Sequence, residues 1–152
     1  MREWHGRKPD SLAGYLEAMS FAIFTAGINW KVVDSKWDGI REAFSGFEVE
    51  TVAALTPGDV ERLAQDRRVI RNRRKIEAIV DNAAKMLELD GGADGFAGYL
   101  GSHSDFDATV ADLKRDFKFL GDTSAYFFLA AVDEPVPKIE EGAYTRHRAH
   151  KT

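Results

Sequence analysis

The chain has 152 residues, 44% of them apolar, which is enough for one buried core, and no cysteine, which excludes disulfides, thiolate metal sites and a cysteine nucleophile. No apolar run approaches the roughly 20 residues that span a bilayer, and Met1 to His5 lacks a signal-peptide stretch, so a soluble, cytoplasmic chain is expected. The formal net charge of −4 argues against a uniformly basic surface.

In chain order the pattern is helical. Asp10 or Ser11 can cap a first helix to about Ala26, apolar on a wide arc through Leu12, Tyr15, Leu16, Met19, Phe21, Ile23 and Phe24. Gly27 stops it. Asn29 then caps a short helix carrying Trp30, Val32 and Val33, and a separate one covers Trp37 to Phe44. After a helical turn over 49–55, Thr56-Pro57-Gly58-Asp59 opens a helix with Thr56 as cap, proline at its first position and an acid in its first turn. That helix ends near Asp66. Asn72 caps a long helix over 73–89, with Ile76, Ile79, Val80, Ala83, Met86 and Leu87 at helical spacing. Residues 93–104 are glycine-rich and weakly patterned. Helices over 105–115 and 123–132 follow, joined by Phe117-Lys118-Phe119-Leu120-Gly121; the second is apolar on nearly every side. The fold class is all-α: an N-terminal segment 1–9, a helical domain 10–132 with a hairpin at 57–89, and a peripheral tail 133–152.

Between the hairpin helices lies Arg67-Arg68-Val69-Ile70-Arg71-Asn72-Arg73-Arg74-Lys75. Six of the chain's 21 lysines and arginines fall in these nine residues, with no acid among them. Val69 and Ile70 can plug the corner of a tight turn. The first amides of the following helix have no intrahelical acceptor, and with the helix dipole they suit a phosphate. Arg71, Asn72, Arg73, Arg74 and Lys75 are therefore the candidate contacts to a DNA backbone, none of them base-specific. Crowded cations at a positive helix end need a compensating anion. The alternative is a solvated cationic face, or one meeting an acidic protein partner.

Several segments in order resemble the type I DNA-3-methyladenine glycosylases. The stretch Leu16 to Trp30, with Thr25-Ala26-Gly27-Ile28-Asn29-Trp30 at its end, resembles that family's segment closing in Gln-Ala-Gly-Leu-Ser-Trp. Arg41-Glu42-Ala43-Phe44 with Phe47, and Asp59 to Asp66 with Ile70-Arg71-Asn72-Arg73, Lys75-Ile76 and Asn82-Ala83, are similar to its next motif and its hairpin. Phe117 to Thr123 is similar to its Phe-Lys-Phe-Val-Gly-x-Thr. The resemblance implies a helix-hairpin-helix glycosylase-like fold and a partner that is double-stranded DNA with a damaged base. It implies a nucleotide flipped into an aromatic pocket, where the N-glycosidic bond of an alkylated purine is cut. It implies neither a small-molecule cofactor nor a membrane. Aromatic faces select such a cationic base.

Trp30 matches the family's pocket tryptophan, and Ala22, Thr25 and Tyr126 are further candidates for the base pocket. The family's base-reading glutamate, eight residues before the tryptophan, is Ala22 here, and its glutamine is Thr25. Glu17 matches an outer glutamate; with Asp34 and Asp122 it is a candidate acid, and the catalytic residue stays unassigned. The family's zinc site needs cysteines that this chain lacks, so no metal is expected, and His5, His103, His147 and His150 are read as surface residues. Two alternatives remain open: a glycosylase-like DNA-binding protein without excision activity, and a helical protein-interaction module.

Overall fold

A computed structural model describes residues 2–92, 94–103 and 105–137. Among them are eight α-helices and no strand: α1 Leu12–Thr25, α2 Trp30–Ala43, α3 Val49–Ala53, α4 Pro57–Gln65, α5 Arg73–Asp90, α6 Gly95–Gly101, α7 Phe106–Asp116 and α8 Asp122–Ala131. No helix among them is long and apolar enough to cross a membrane.

The two helices that are apolar on almost every side, α1 and α8, pack on each other at the centre. Leu16, Met19, Ile23 and Phe24 of α1 and Phe128 of α8 are fully buried. Long α5 lies across α3, α4, α6 and α1. An aromatic stack fills the other side of α1: Trp37 lies on Phe47 at 5.4 Å, Phe47 on Phe44 at 5.3 Å, and Phe21 meets Trp37 edge-on at 4.9 Å. The Trp37 indole N–H donates to Glu17 at 2.8 Å, and Arg41 holds the same carboxylate oxygen at 2.8 Å through Nε. Glu17 is thus committed to positioning α2 on α1.

Where a cap was read from sequence, the geometry mostly agrees. Thr56 and Asp59 form a reciprocal capping box, and Asn29 and Asn72 accept the amides of Lys31 and Lys75. Ser11 is the N-cap of α1 but makes no side-chain cap bond. Two expectations are corrected. Residues 30–43 form one helix, not two, because Val33, Trp37 and Ile40 fall on one buried face and tertiary packing carries the helix through Asp34-Ser35. Its Gly39 lets Arg68 approach, since a β-carbon there would meet Arg68 Cβ at 3.1 Å. The glycine-rich stretch also holds a helix, α6, because Phe96 and Leu100 one turn apart insert into the core and the Asp90 carboxylate accepts the Phe96 amide at 2.8 Å.

The ends of the described chain are part of the packed body. Gly6 donates its amide to the Ala131 carbonyl at 2.8 Å, Arg2 reaches Asp34, and Trp4 packs on the core. Glu134 pairs with Lys8, Val136 packs on the core, and the Tyr126 hydroxyl donates to the Pro137 carbonyl at 3.0 Å. The rest of the expected tail, with His147 and His150, lies outside the described residues.

Candidate functional site

The turn between α4 and α5 forms as its residues require. Val69 is buried and Ile70 half-buried against the core, plugging the corner. Asp66 accepts the amides of Val69 and Arg68, and Asn72 donates its own to Ile70. The Asn72 side chain takes the Lys75 amide, while the amides of Arg73 and Arg74 begin α5 and have no carbonyl one turn back.

The six cations divide into three roles. Arg68 pairs with Asp66 at 2.7 Å and with Glu42, and Arg73 is held between Glu61 and Glu77. The compensating anions expected for this helix end are therefore partly internal. Lys75 is buried: its Nζ donates to the Ala26 carbonyl at 2.8 Å and the Phe24 carbonyl at 3.3 Å. Burial pushes its pKa below the usual lysine value, while the two carbonyl acceptors favour the charged form. Lys75 is thus a structural link, not a surface phosphate ligand. Read from sequence it stands at the wrong end of the α5 dipole; in the fold it serves the carbonyl end of α1. Arg67, Arg71 and Arg74 remain, exposed and without an ion pair among the described residues.

This division predicts different outcomes along one stretch. On the expected contact of this turn to a DNA backbone, an R71A/R74A double variant should bind duplex DNA roughly thirtyfold more weakly, at about 1 kcal/mol per exposed contact. The slope of log affinity against log salt should fall by about 2. Arg73→Ala, with Glu61 and Glu77 already neutralising the guanidinium, should cost less. Equal losses for Arg73→Ala and Arg71→Ala in a salt titration would refute the assignment.

Ala26, held by Lys75, opens the rim of a cleft of about 960 Å³. Phe21, Ala22 and Thr25 of α1 form one wall. The rim continues through Gly27, at φ +81°, to Trp30 at the start of α2. Phe119, Ser124 and Phe127 line it from α8 and the loop before it, and His5 from the N-terminal segment. Trp30, Phe119 and Phe127 are 45%, 49% and 55% exposed, so their faces are open to an incoming ring. No Asp, Glu, Lys or Arg lines the cleft among the described residues.

Of the four candidate pocket residues, Trp30, Ala22 and Thr25 meet in this cleft, and Tyr126 does not. Tyr126 is buried, edge-on to Phe106 and bonded to Pro137, while its neighbour Phe127 points into the cleft. One helical step is about 100°, and the all-round apolarity of α8 hid which step was right. Thr25 donates its hydroxyl proton to the Phe21 carbonyl at 2.9 Å. Asp34 pairs with Arg2, and Asp122 lies in the first turn of α8 and pairs with Lys114 at 2.9 Å. With Glu17 on Trp37, none of the three candidate acids is in the lining.

The histidine expectation is also corrected. His103 is nearly buried with Nε2 2.6 Å from Asp112, tying α6 to α7. His5 is half-buried in the cleft. Among the described residues no three His, Asp or Glu side chains gather as metal ligands. The sequence reading did not mark Phe119, Phe127 or Asn82 as site residues. Asn82, buried within α5, grips the backbone of Lys118 from both sides, at 3.0 Å and 2.8 Å, and so holds the loop that carries Phe119.

Comparison with known proteins meets this geometry. The methyladenine glycosylase family model matches residues 2–114. DNA-3-methyladenine glycosylase 1 of Escherichia coli is 32% identical over 127 residues, 70% of this chain and 68% of that protein. The DNA-3-methyladenine glycosylase of Haemophilus influenzae is 30% identical over 70% of this chain and 69% of its own. The crystal structure of a 3-methyladenine DNA glycosylase I superposes with a TM-score of 0.74 at 29% identity, over 85% of this chain and 82% of the other.

Proposed function

The chain belongs to the methyladenine glycosylase family, and from that membership we propose that it is a base-excision repair enzyme hydrolysing the N-glycosidic bond of an alkylated purine such as 3-methyladenine in duplex DNA. The observation that carries the reading is the Lys75 link. It joins the first turn of α5 to the Ala26 rim, so a phosphate gripped at Arg71 and Arg74 lies beside an open aromatic cleft. A nucleotide rotated out of the duplex next to that phosphate enters between Trp30, Phe119 and Phe127.

The lining sets the chemistry. Aromatic faces attract a cationic ring, and no fixed charge among the described lining residues competes with them. In a purine methylated at N3 the bond to C1′ is already weakened by the positive charge. As it breaks, its electron pair returns to the purine and cancels that charge. Water forms the new bond to C1′ and releases its proton to solvent. No acid is required for the leaving group, which agrees with a lining that has no carboxylate among the described residues. A neutral lesion would need that acid. The enzyme should therefore release 3-methyladenine from methylated duplex and leave hypoxanthine and uracil in place. High-performance chromatography of released bases checks this, and release of either neutral base at a comparable rate would contradict the mechanism.

Ala22 at the position of the family's base-reading glutamate favours one second reading, a glycosylase-like DNA-binding protein that does not excise. It predicts equal affinity for methylated and intact duplex, with no released base above a no-enzyme control.

A further inference from the structure

We propose that His5 is the group that reads the extruded base, its imidazole supplying from the N-terminal segment the hydrogen-bonding edge that Ala22 cannot supply from α1. The inference rests on the base-excision reading above. Among the described lining residues His5 is the one side chain that titrates near neutrality. Most other polar groups nearby are committed: Thr25 donates its hydroxyl proton to the α1 backbone, Asn29 accepts the Lys31 amide, and Thr123 is engaged elsewhere. Ser124 stands on the opposite wall, at the start of α8.

The ring is held as a recognition group must be. It stacks on Trp4 with centroids 4.3 Å apart and planes 19° off parallel, and meets the edge of Phe21 at 5.3 Å. Its backbone is fixed by a bond from its amide to the Arg2 carbonyl at 3.1 Å and by the following Gly6 amide on Ala131 at 2.8 Å. Its Nδ1 is buried with no hydrogen-bond partner, so the nitrogen it can offer to the cleft is Nε2.

The protonation state suits a cationic purine. Burial lowers the His5 pKa from its ordinary 6.5, and Arg2 lowers it further, against Asp34 of α2, which raises it. The walls from α1 and α8 put no charged side chain in the lining. At neutral pH the imidazole is therefore uncharged, and its Nε2 serves the purine edge as donor or acceptor according to the tautomer. An imidazolium would repel the cationic base in a poorly solvated cleft.

Four measurements on the full chain test this. In His5→Phe, which keeps the ring packing, single-turnover release of 3-methyladenine should fall about tenfold, the effect of one transition-state hydrogen bond. Affinity for duplex with an abasic site should be unchanged. Wild-type release should decline as pH falls below 6.5 through the lowered His5 pKa, and the His5→Phe profile should lack that inflection. In the wild-type protein, free 3-methyladenine should shift the His5 imidazole NMR signals, which decides the case even if His5→Phe does not fold. Wild-type rates and pH dependence in His5→Phe, or unmoved His5 signals at saturating free base, would overturn the role of His5 and leave base excision standing. Absence of released base from wild-type protein, with His5 signals still shifted by free 3-methyladenine, would overturn excision and leave base recognition by His5.

Discussion

Lys75→Met should lower the stability of the whole domain by about 3 kcal/mol. The side chain is nearly isosteric, so packing is largely kept, but the Phe24 and Ala26 carbonyls lose a charged donor. Hydrogen bonds to charged groups contribute roughly 1.5–3 kcal/mol each, and acceptors left buried and unpaired cost about 1–3 kcal/mol, offset in part by the apolar methionine. The consequence for activity should exceed that for stability. Without the link, the hairpin and the Ala26–Trp30 rim are coupled mainly through the packing of α1 on α5. DNA affinity, which the proposed reading assigns to Arg71 and Arg74, should fall little, whereas base release should fall by up to about a hundredfold, since an error near 1 Å in placing a reacting group costs that much. Urea unfolding with an unchanged m-value, together with single-turnover excision, separates these effects. A stability loss below 1 kcal/mol, or parallel losses in DNA binding and release, would remove Lys75 from this role.

Lys75 also shows what could be read before any coordinates. Its position in a cationic run and in a hairpin was visible; its direction was not. Burial belongs to the packed helices, so one side chain in a run of six turns inward with nothing in the run to mark it. The hairpin itself was legible because it is written in local terms: a Thr-Pro-x-Asp start, an apolar plug at Val69-Ile70 and an Asn72 cap. The Ala22, Thr25 and Trp30 wall was legible through the resemblance, since all three lie within nine consecutive residues. The opposite wall was not. On α8 the pattern is apolar all round, so Tyr126 and Phe127 were equal on sequence, and only docking against α1 and α7 chose Phe127. His5 was hidden for another reason. It lies in a segment with no periodicity, and its place in the cleft depends on contacts distant in sequence, among them the backbone bond from Gly6 to Ala131, some 125 residues away.

Asn82→Ala gives the second large effect. The carboxamide donates to the Lys118 carbonyl and accepts the Lys118 amide, within a site where Asn82 itself is 1% exposed. Losing both bonds and stranding their partners should cost about 2–3 kcal/mol. The next residue, Phe119, has φ +58°, a left-handed conformation that a bulky residue adopts only when its surroundings impose it, at about 1–3 kcal/mol. Asn82 is the clamp that imposes it. Freed, the loop relaxes, and the half-exposed Phe119 ring leaves the wall facing Trp30. Release of 3-methyladenine should fall tenfold or more beyond any loss from unfolding. Asn82→Asp, which keeps the acceptor for the Lys118 amide but loses the donor, should fall between. A double-mutant cycle decides whether the two residues act as one unit. If Asn82 acts through Phe119, then N82A/F119A should release base no more slowly than F119A alone. Full additivity of the two losses in ln k would mean that the Phe119 ring holds its place without the clamp, and that the Asn82 defect lies elsewhere in the contact between α5 and the loop.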